Sequence, residues 1–100
     1  MPYYVYILYS ETTDKFYKGQ TQNIETRITR HNAGRETYTA LGLPWKIIWV
    51  TQKEDRSNAM ELESKLKNLS RKRLIQFMLK YHQGVAGPDE LRLLAQLSGC

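Results

Sequence analysis

An α+β domain, with a small three-stranded antiparallel sheet flanked by helices, is what this sequence predicts, and three observations carry it. Two runs rich in aromatic and β-branched residues, 3–9 (YYVYILY) and 16–21 (FYKGQT), are separated by a short polar stretch. A third run, residues 45–51 (WKIIWVT), is apolar at nearly every position. Between and after these runs, apolar residues recur at helical spacing, with capping residues at the ends. The chain has 100 residues, enough for one core and not for two.

Residues 10–15 (SETTDK) are turn material, so the first two strands form an antiparallel hairpin. With that loop, Tyr9 faces Phe16 and Tyr6 faces Gly19. Strand alternation then sets Tyr4, Tyr6, Leu8, Tyr17, Gly19 and Thr21 on one side. Tyr17 becomes the diagonal neighbour of Tyr6. Gly19, directly opposite Tyr6, is expected to leave open space above the backbone, a pocket floor.

Asn23 suits the start and Gly34 the end of a first helix over residues 24–33. Ile24, Arg27, Ile28 and His31 share one half of it, which sets Arg27 and His31 at the margin of its buried stripe. Residues 34–44 show no period and read as a loop. The third strand is expected to be covered on both faces and to join the hairpin. Residues 53–57 turn the chain, and Asn58 with Glu61 resembles a capping box opening a second helix. Its core stripe is Ala59, Leu62, Leu66 and Leu69; Glu63 borders that stripe, with Lys67 one turn on. A third helix over residues 71–81 buries Leu74, Ile75, Phe77 and Met78, completing a domain of residues 1–83. Residues 84–87 read as a flexible joint in a C-terminal part, 84–100, whose short amphipathic helix opens at Pro88-Asp-Glu. Its face of Leu91, Leu94 and Leu97 can dock on the domain, on a protein partner or on a second copy.

Composition excludes some classes. At 41% apolar and 25% charged, with 6 Gly and 3 Pro, the chain is neither disordered nor fibrous. Its longest apolar runs, such as residues 47–50, are too short to span a bilayer, and no signal peptide opens it. The single cysteine, Cys100, excludes an internal disulfide and suits a reducing cytoplasm. Net charge is +5, and after Glu63 come Lys65, Lys67, Arg71, Lys72, Arg73 and Lys80 with no acid before Asp89. Such a run makes a cationic face suited to a polyanion, although a solvated helix looks the same.

Hydrolysing a phosphodiester takes a nucleophilic water, a group to receive its proton, and positive charge on the phosphoryl and leaving oxygens. Tyr6 or Tyr17 could orient or deprotonate water, His31 could hydrogen-bond or exchange a proton, and Arg27 has donors forked to match phosphate. Glu63 could hold one Mg²⁺, which binds through one or two carboxylates while waters and substrate oxygens fill its shell. Singly, each has a plain structural use; together they form a set.

In order along the chain, Val5-Tyr6-Ile7, a turn, Tyr17-Lys18-Gly19, Arg27, His31-Asn32 and Glu63 resemble the GIY-YIG nuclease superfamily. Tyr17-Lys-Gly-Gln-Thr, residues 25–32 (ETRITRHN), Tyr38-Thr39, Pro44 and the block from Ala59 through Glu63 to Lys67 look like its small, stand-alone bacterial members. Roughly residues 3–75 are covered. Val5 departs from the leading glycine of the first motif, and Lys18 from the middle isoleucine of the second.

The resemblance implies the three-stranded fold and a metal-dependent, in-line attack leaving 3′-hydroxyl and 5′-phosphate ends. It implies catalytic roles for Tyr6, Tyr17, Arg27, His31 and Glu63, with Glu63 binding Mg²⁺, or Mn²⁺ in its place. DNA is the expected partner, contacted by Lys18, Arg27, Arg30, Arg35, Lys67, Arg71, Lys72 and Arg73, with Lys18 on the strand face opposite Tyr17. No appended DNA reader is evident, so low sequence specificity or selection of DNA shape is expected, in a bacterial cytoplasm. The pathway (repair, recombination or defence) and DNA against RNA stay open. A non-catalytic nucleic-acid-binding module of the same fold is the alternative.

Overall fold

The computed structural model describes residues 2–33 and 43–99. In order come β1 (Tyr3–Ser10), β2 (Lys15–Thr21), α1 (Ile24–Asn32), β3 (Trp45–Lys53), α2 (Arg56–Lys67), α3 (Arg71–Lys80) and α4 (Pro88–Leu97). The strands form one antiparallel sheet ordered β2-β1-β3, so the first strand in sequence is central, and it is buried from Val5 to Ser10. The hairpin has the expected register: Tyr9 pairs with Phe16 and Tyr6 with Gly19. Lys15 also pairs, with Ser10, which tightens the turn. Asp14 there has φ 53°, a left-handed conformation that Asp tolerates, and it accepts a 2.6 Å hydrogen bond from the Tyr9 hydroxyl.

Alternation along β1 divides the molecule into two layers. Val5, Ile7 and Tyr9 face α2, α3 and α4, packing with Ile48, Trp49, Ala59, Leu66, Leu74 and Met78. Tyr6 and Leu8 face α1, packing with Trp45, Tyr17, Ile24 and Ile28. On β3 the alternation is interrupted. Leu8 pairs with Ile47 but Ile7 with Trp49, so Ile48 is an extra residue, a β-bulge. A strict two-residue period would set Trp45 and Trp49 on the same side; the bulge sends them to opposite layers.

Asn23 caps α1, its side chain accepting from the Thr26 amide at 3.1 Å. The expected end at Gly34 lies outside the described residues. The expected cap of α2 is corrected: Asp55, not Asn58, opens it, accepting from the Asn58 amide at 2.8 Å, so the helix begins at Arg56. Asp55 satisfies the Asn58 amide from three residues upstream, which sets Asn58 inside the first turn rather than at the cap.

Residues 84–87, expected as a flexible joint, lie along the edge of β3. Residues 82–84 form one 3₁₀ turn, Val85 bridges to Trp49, and the Ala86 amide donates to the Ile48 carbonyl at 3.0 Å. Beyond them α4 docks on α3, burying Leu94 completely and Leu93 and Leu97 in part, while Leu91 stays exposed. Leu94 and, in part, Leu97 of the sticky face are thus taken by the chain's own domain, while Leu91 is not. Among the described residues no helix is long and apolar enough to cross a membrane.

Candidate active site

Under α1, the chain gathers four of its candidate residues. Ile24 and Ile28 pin the helix to the sheet, and His31, one turn on, is carried fully under it rather than to the margin. Its Nε2 lies 3.2 Å from the Tyr6 hydroxyl, and both residues are 0% exposed. The His31 ring stands edge-on to Tyr17, centroids 4.7 Å apart, and Tyr17 in turn meets Tyr6 at 6.5 Å and Trp45 at 6.3 Å. Arg27 is half-buried beside them.

The pocket floor expected over Gly19 is filled. A Cβ at that position would come within 2.5 Å of the Tyr6 hydroxyl oxygen and 2.7 Å of the ring carbon bearing it. Tyr6 lies across the bare backbone of the neighbouring strand, and that is the reason no open space remains there.

Burial pushes the Tyr6 phenol up to about 12. A hydrogen bond and the charge of Arg27 pull the other way, and Tyr17 and the charge of Glu63 add to the rise. Glu63 is therefore close enough to be felt at this hydroxyl. Its side chain is 18% exposed, and its carboxylate pairs with Lys67, one turn on, at 3.3 Å. Among the described residues no three His, Cys, Asp or Glu side chains cluster as a closed metal site. One hard oxygen donor of low exposure remains, which fits Mg²⁺ completing its shell with waters and phosphate oxygens.

Lys18 points to the opposite face from Tyr17, as expected, yet both line one hollow of about 340 Å³ with Phe16 and Lys67. They can do so because β2 is an edge strand, with no neighbouring strand on its outer side. Loss of water, then repulsion from Lys67, lowers the Lys18 ammonium below its usual value.

The remaining basic candidates do not join this group. Arg30 lies on the outward side of α1 with Glu25, Thr26 and Thr29. Arg71 is committed to the hairpin turn, donating to the Asp14 carbonyl at 2.7 Å and its carboxylate at 2.8 Å while lying over the Phe16 ring. Lys72 and Arg73 are exposed on α3, and Arg35 lies outside the described residues. Two residues given no role in the sequence analysis help hold the site. The Asn32 amide accepts from the Trp45 backbone N–H at 2.7 Å and donates to its carbonyl at 3.0 Å, fixing the end of α1 to the start of β3. Trp45 in turn walls Tyr17.

Residues 2–76 match the family described as the GIY-YIG catalytic domain. The chain belongs to the GIY-YIG family. Its relatives are small proteins. A UPF0213 protein of Bacillus cereus is 40% identical over 72 residues, 71% of this chain and 75% of its own. A UPF0213 protein of Natronomonas pharaonis is 36% identical over 70 residues, 69% and 81% of the two chains. The solution NMR structure of a UPF0213 protein from Bacillus halodurans is similar at a TM-score of 0.54 and 30% identity, covering 92% of this chain and 94% of that one. The GIY-YIG match begins before β1 and ends within α3, so it spans Tyr6, Tyr17, Arg27, His31 and Glu63.

Proposed function

We propose that this GIY-YIG protein is a divalent-metal-dependent endonuclease that hydrolyses or nicks DNA phosphodiester bonds with low sequence specificity. What supports this reading best is the Tyr6–His31–Tyr17 cluster, with Arg27 and Glu63 acting from opposite signs of charge on one buried hydroxyl. Buried polar groups cost stability, and a buried phenol displaced from its ordinary value with an arginine and a carboxylate acting on it is the kind of arrangement reacting centres use.

Arg27 offers its forked donors to the scissile phosphate. It has donors only, so toward Tyr6 it donates to the phenol oxygen, and the phenol must direct its own proton elsewhere. His31 Nε2, at 3.2 Å, is placed to receive it in the tautomer that carries its hydrogen on Nδ1. With Tyr6 at about 12, a standing phenolate at pH 7 would cost about 7 kcal/mol. Tyr6 therefore takes the proton of the attacking water as the new P–O bond forms and hands its own to His31. Attack in line with the departing 3′ oxygen leaves 3′-hydroxyl and 5′-phosphate ends.

Glu63 would hold Mg²⁺, or Mn²⁺ with the same liking for oxygen, and a bound ion there would neutralise charge on the phosphoryl and leaving oxygens. Lys18 and Lys67 take neighbouring phosphates. Phosphate contacts carry no sequence information, which accounts for the low specificity.

Nicking of supercoiled plasmid, with Mg²⁺ or with EDTA, tests this. Wild type should cut only with the metal, and Glu63→Ala should lose cutting while keeping salt-sensitive DNA binding. Wild type that binds DNA and never cuts it would establish the non-catalytic module instead.

A further inference from the structure

On the layer away from α1, β3, α2, α3 and the turn at 82–84 surround a second hollow of about 360 Å³. Small-ligand sites run from about 300 to 1,000 Å³. Rings and cations line it: Trp49, Phe77 and Tyr81 with Lys53 and Lys65, and the Gln83 amide at the rim. Among the described residues no acid lines it.

The aromatic wall is held in place. Trp49 Nε1 donates to the Tyr81 carbonyl at 2.9 Å, Trp49 stands edge-on to Phe77 at 5.3 Å, and Phe77 meets Tyr81 at 4.8 Å. Gly84 lets the chain cross directly over the indole, since a Cβ there would come within 2.5 Å of it. Tyr81 is nevertheless 44% exposed. Lys65 lies 5.9 Å over Phe77 and Lys80 lies 5.5 Å over Tyr81. Of these rings Tyr81 is the exposed one, with Trp49 buried and Phe77 half-buried behind it. An exposed ring held in place and flanked by positive charge can stack an unpaired base and neutralise its phosphate. A paired base hides its face in the duplex and cannot enter.

We propose that this groove binds an unpaired nucleotide of a single strand, its base against Tyr81 and its phosphate between Lys53 and Lys65. Phe77, Tyr81 and Gln83 lie beyond the residues that match the GIY-YIG catalytic domain. The groove is separated from the candidate active site by α2: Leu62 and Lys65 face it, while Glu63 and Lys67 pair beside β2. The inference needs the groove and not the hydrolysis. Where both hold, the protein prefers DNA with an unpaired strand next to the cut.

Fluorescence of Trp49, the tryptophan left in a Glu63→Ala, Trp45→Phe protein, titrated in EDTA with a short oligothymidylate and with a duplex of equal length, tests it. Oligothymidylate should quench to saturation and duplex should not. Tyr81→Ala should weaken the affinity about tenfold, whereas Tyr81→Phe keeps it. Lys65→Gln, at an exposed position, should lower the dependence of log affinity on log salt by about 1. Unchanged affinity in Tyr81→Ala, an unchanged salt slope in Lys65→Gln, or equal quenching by duplex overturns the proposal. Arg27→Ala should leave the quenching intact, and loss there alone would assign the strand to the other site. Nicking without Tyr81-dependent quenching removes the groove only; quenching without nicking removes the nuclease only.

Discussion

On the α2–α4 side of the sheet, Val5, Ile7 and Ile48 meet Leu66, Leu74, Met78 and Leu94, and the packing is almost wholly hydrocarbon. On the α1 side, Tyr6 and Leu8 meet Trp45 and Tyr17 around a completely buried histidine. Burial of apolar surface is favourable in proportion to area, so the first side supplies most of the folding energy. Buried polar groups cost unless they are hydrogen-bonded, so the second is retained against a cost. One strand feeds both, because its odd and even residues part company at every step. Stability and reactivity are thereby kept within a few ångströms of each other without sharing side chains.

Substitutions on the two sides should therefore separate in opposite ways. Leu66→Ala, at a position with 0% exposure, should cost about 2–5 kcal/mol in urea unfolding and leave nicking per folded molecule unchanged. A cost below about 1 kcal/mol would remove the hydrocarbon layer from its role as the main support. Tyr6→Phe should cost about 1–3 kcal/mol, its hydrogen bonds with His31 and Arg27, yet lower nicking by about 10²–10⁴-fold.

That variant also reads the pH dependence. The Tyr6 pKa is raised in the fold, so its contribution is fully present below about pH 10 and is lost as pH rises through about 12. Wild type should lose up to about 3 kcal/mol relative to Tyr6→Phe across that window, in urea melts at stepped alkaline pH, while its nicking rate climbs. Equal alkaline losses in the two proteins would detach the phenol from the effect. The smallest change belongs to Lys67→Gln, which should move stability by no more than about 0.5 kcal/mol, since the pair is half in solvent. With its ammonium gone from both Glu63 and the neighbouring phosphates, DNA affinity should fall and half-maximal nicking at saturating DNA should need less Mg²⁺; an unchanged DNA affinity would remove Lys67 from the phosphate contacts.

Local chemistry explains how much of this was legible. The hairpin register follows from a polar turn between two aromatic runs, and Asn23 announces α1 because its side chain satisfies a nearby amide. The bulge at Ile48 leaves no such trace: its neighbours are apolar, so either register buries them, and only the packed layers reveal which tryptophan goes where. The start of α2 escapes the sequence because Asp55 and Asn58 are equally good caps on paper and the chain uses the earlier one. Arg71 reads as a phosphate ligand, but its partner Asp14 is far away in sequence, and Asn32 likewise meets Trp45 only in space. Residues 84–87 are glycine-bearing and look loose, yet their backbone finds bonding partners on β3 that composition cannot indicate. For the candidate site, the residue types were legible singly. The approach of Glu63 to Tyr6 was implied by the family resemblance and not by local spacing, since it depends on how α2 lies against the β2 edge.

Gly19 gives the hairpin a built-in gauge. Because the Tyr6 oxygen rests where a methyl group would stand, the smallest possible enlargement of that strand acts first on the atom placed nearest the chemistry, and its next nearest neighbours belong to the same ring. An alanine there would press on the phenol first and, through it, on His31 and Arg27 of α1. Position and reactivity of one oxygen can thus be tuned from the next strand over, by adding a single carbon to a place where the chain has none.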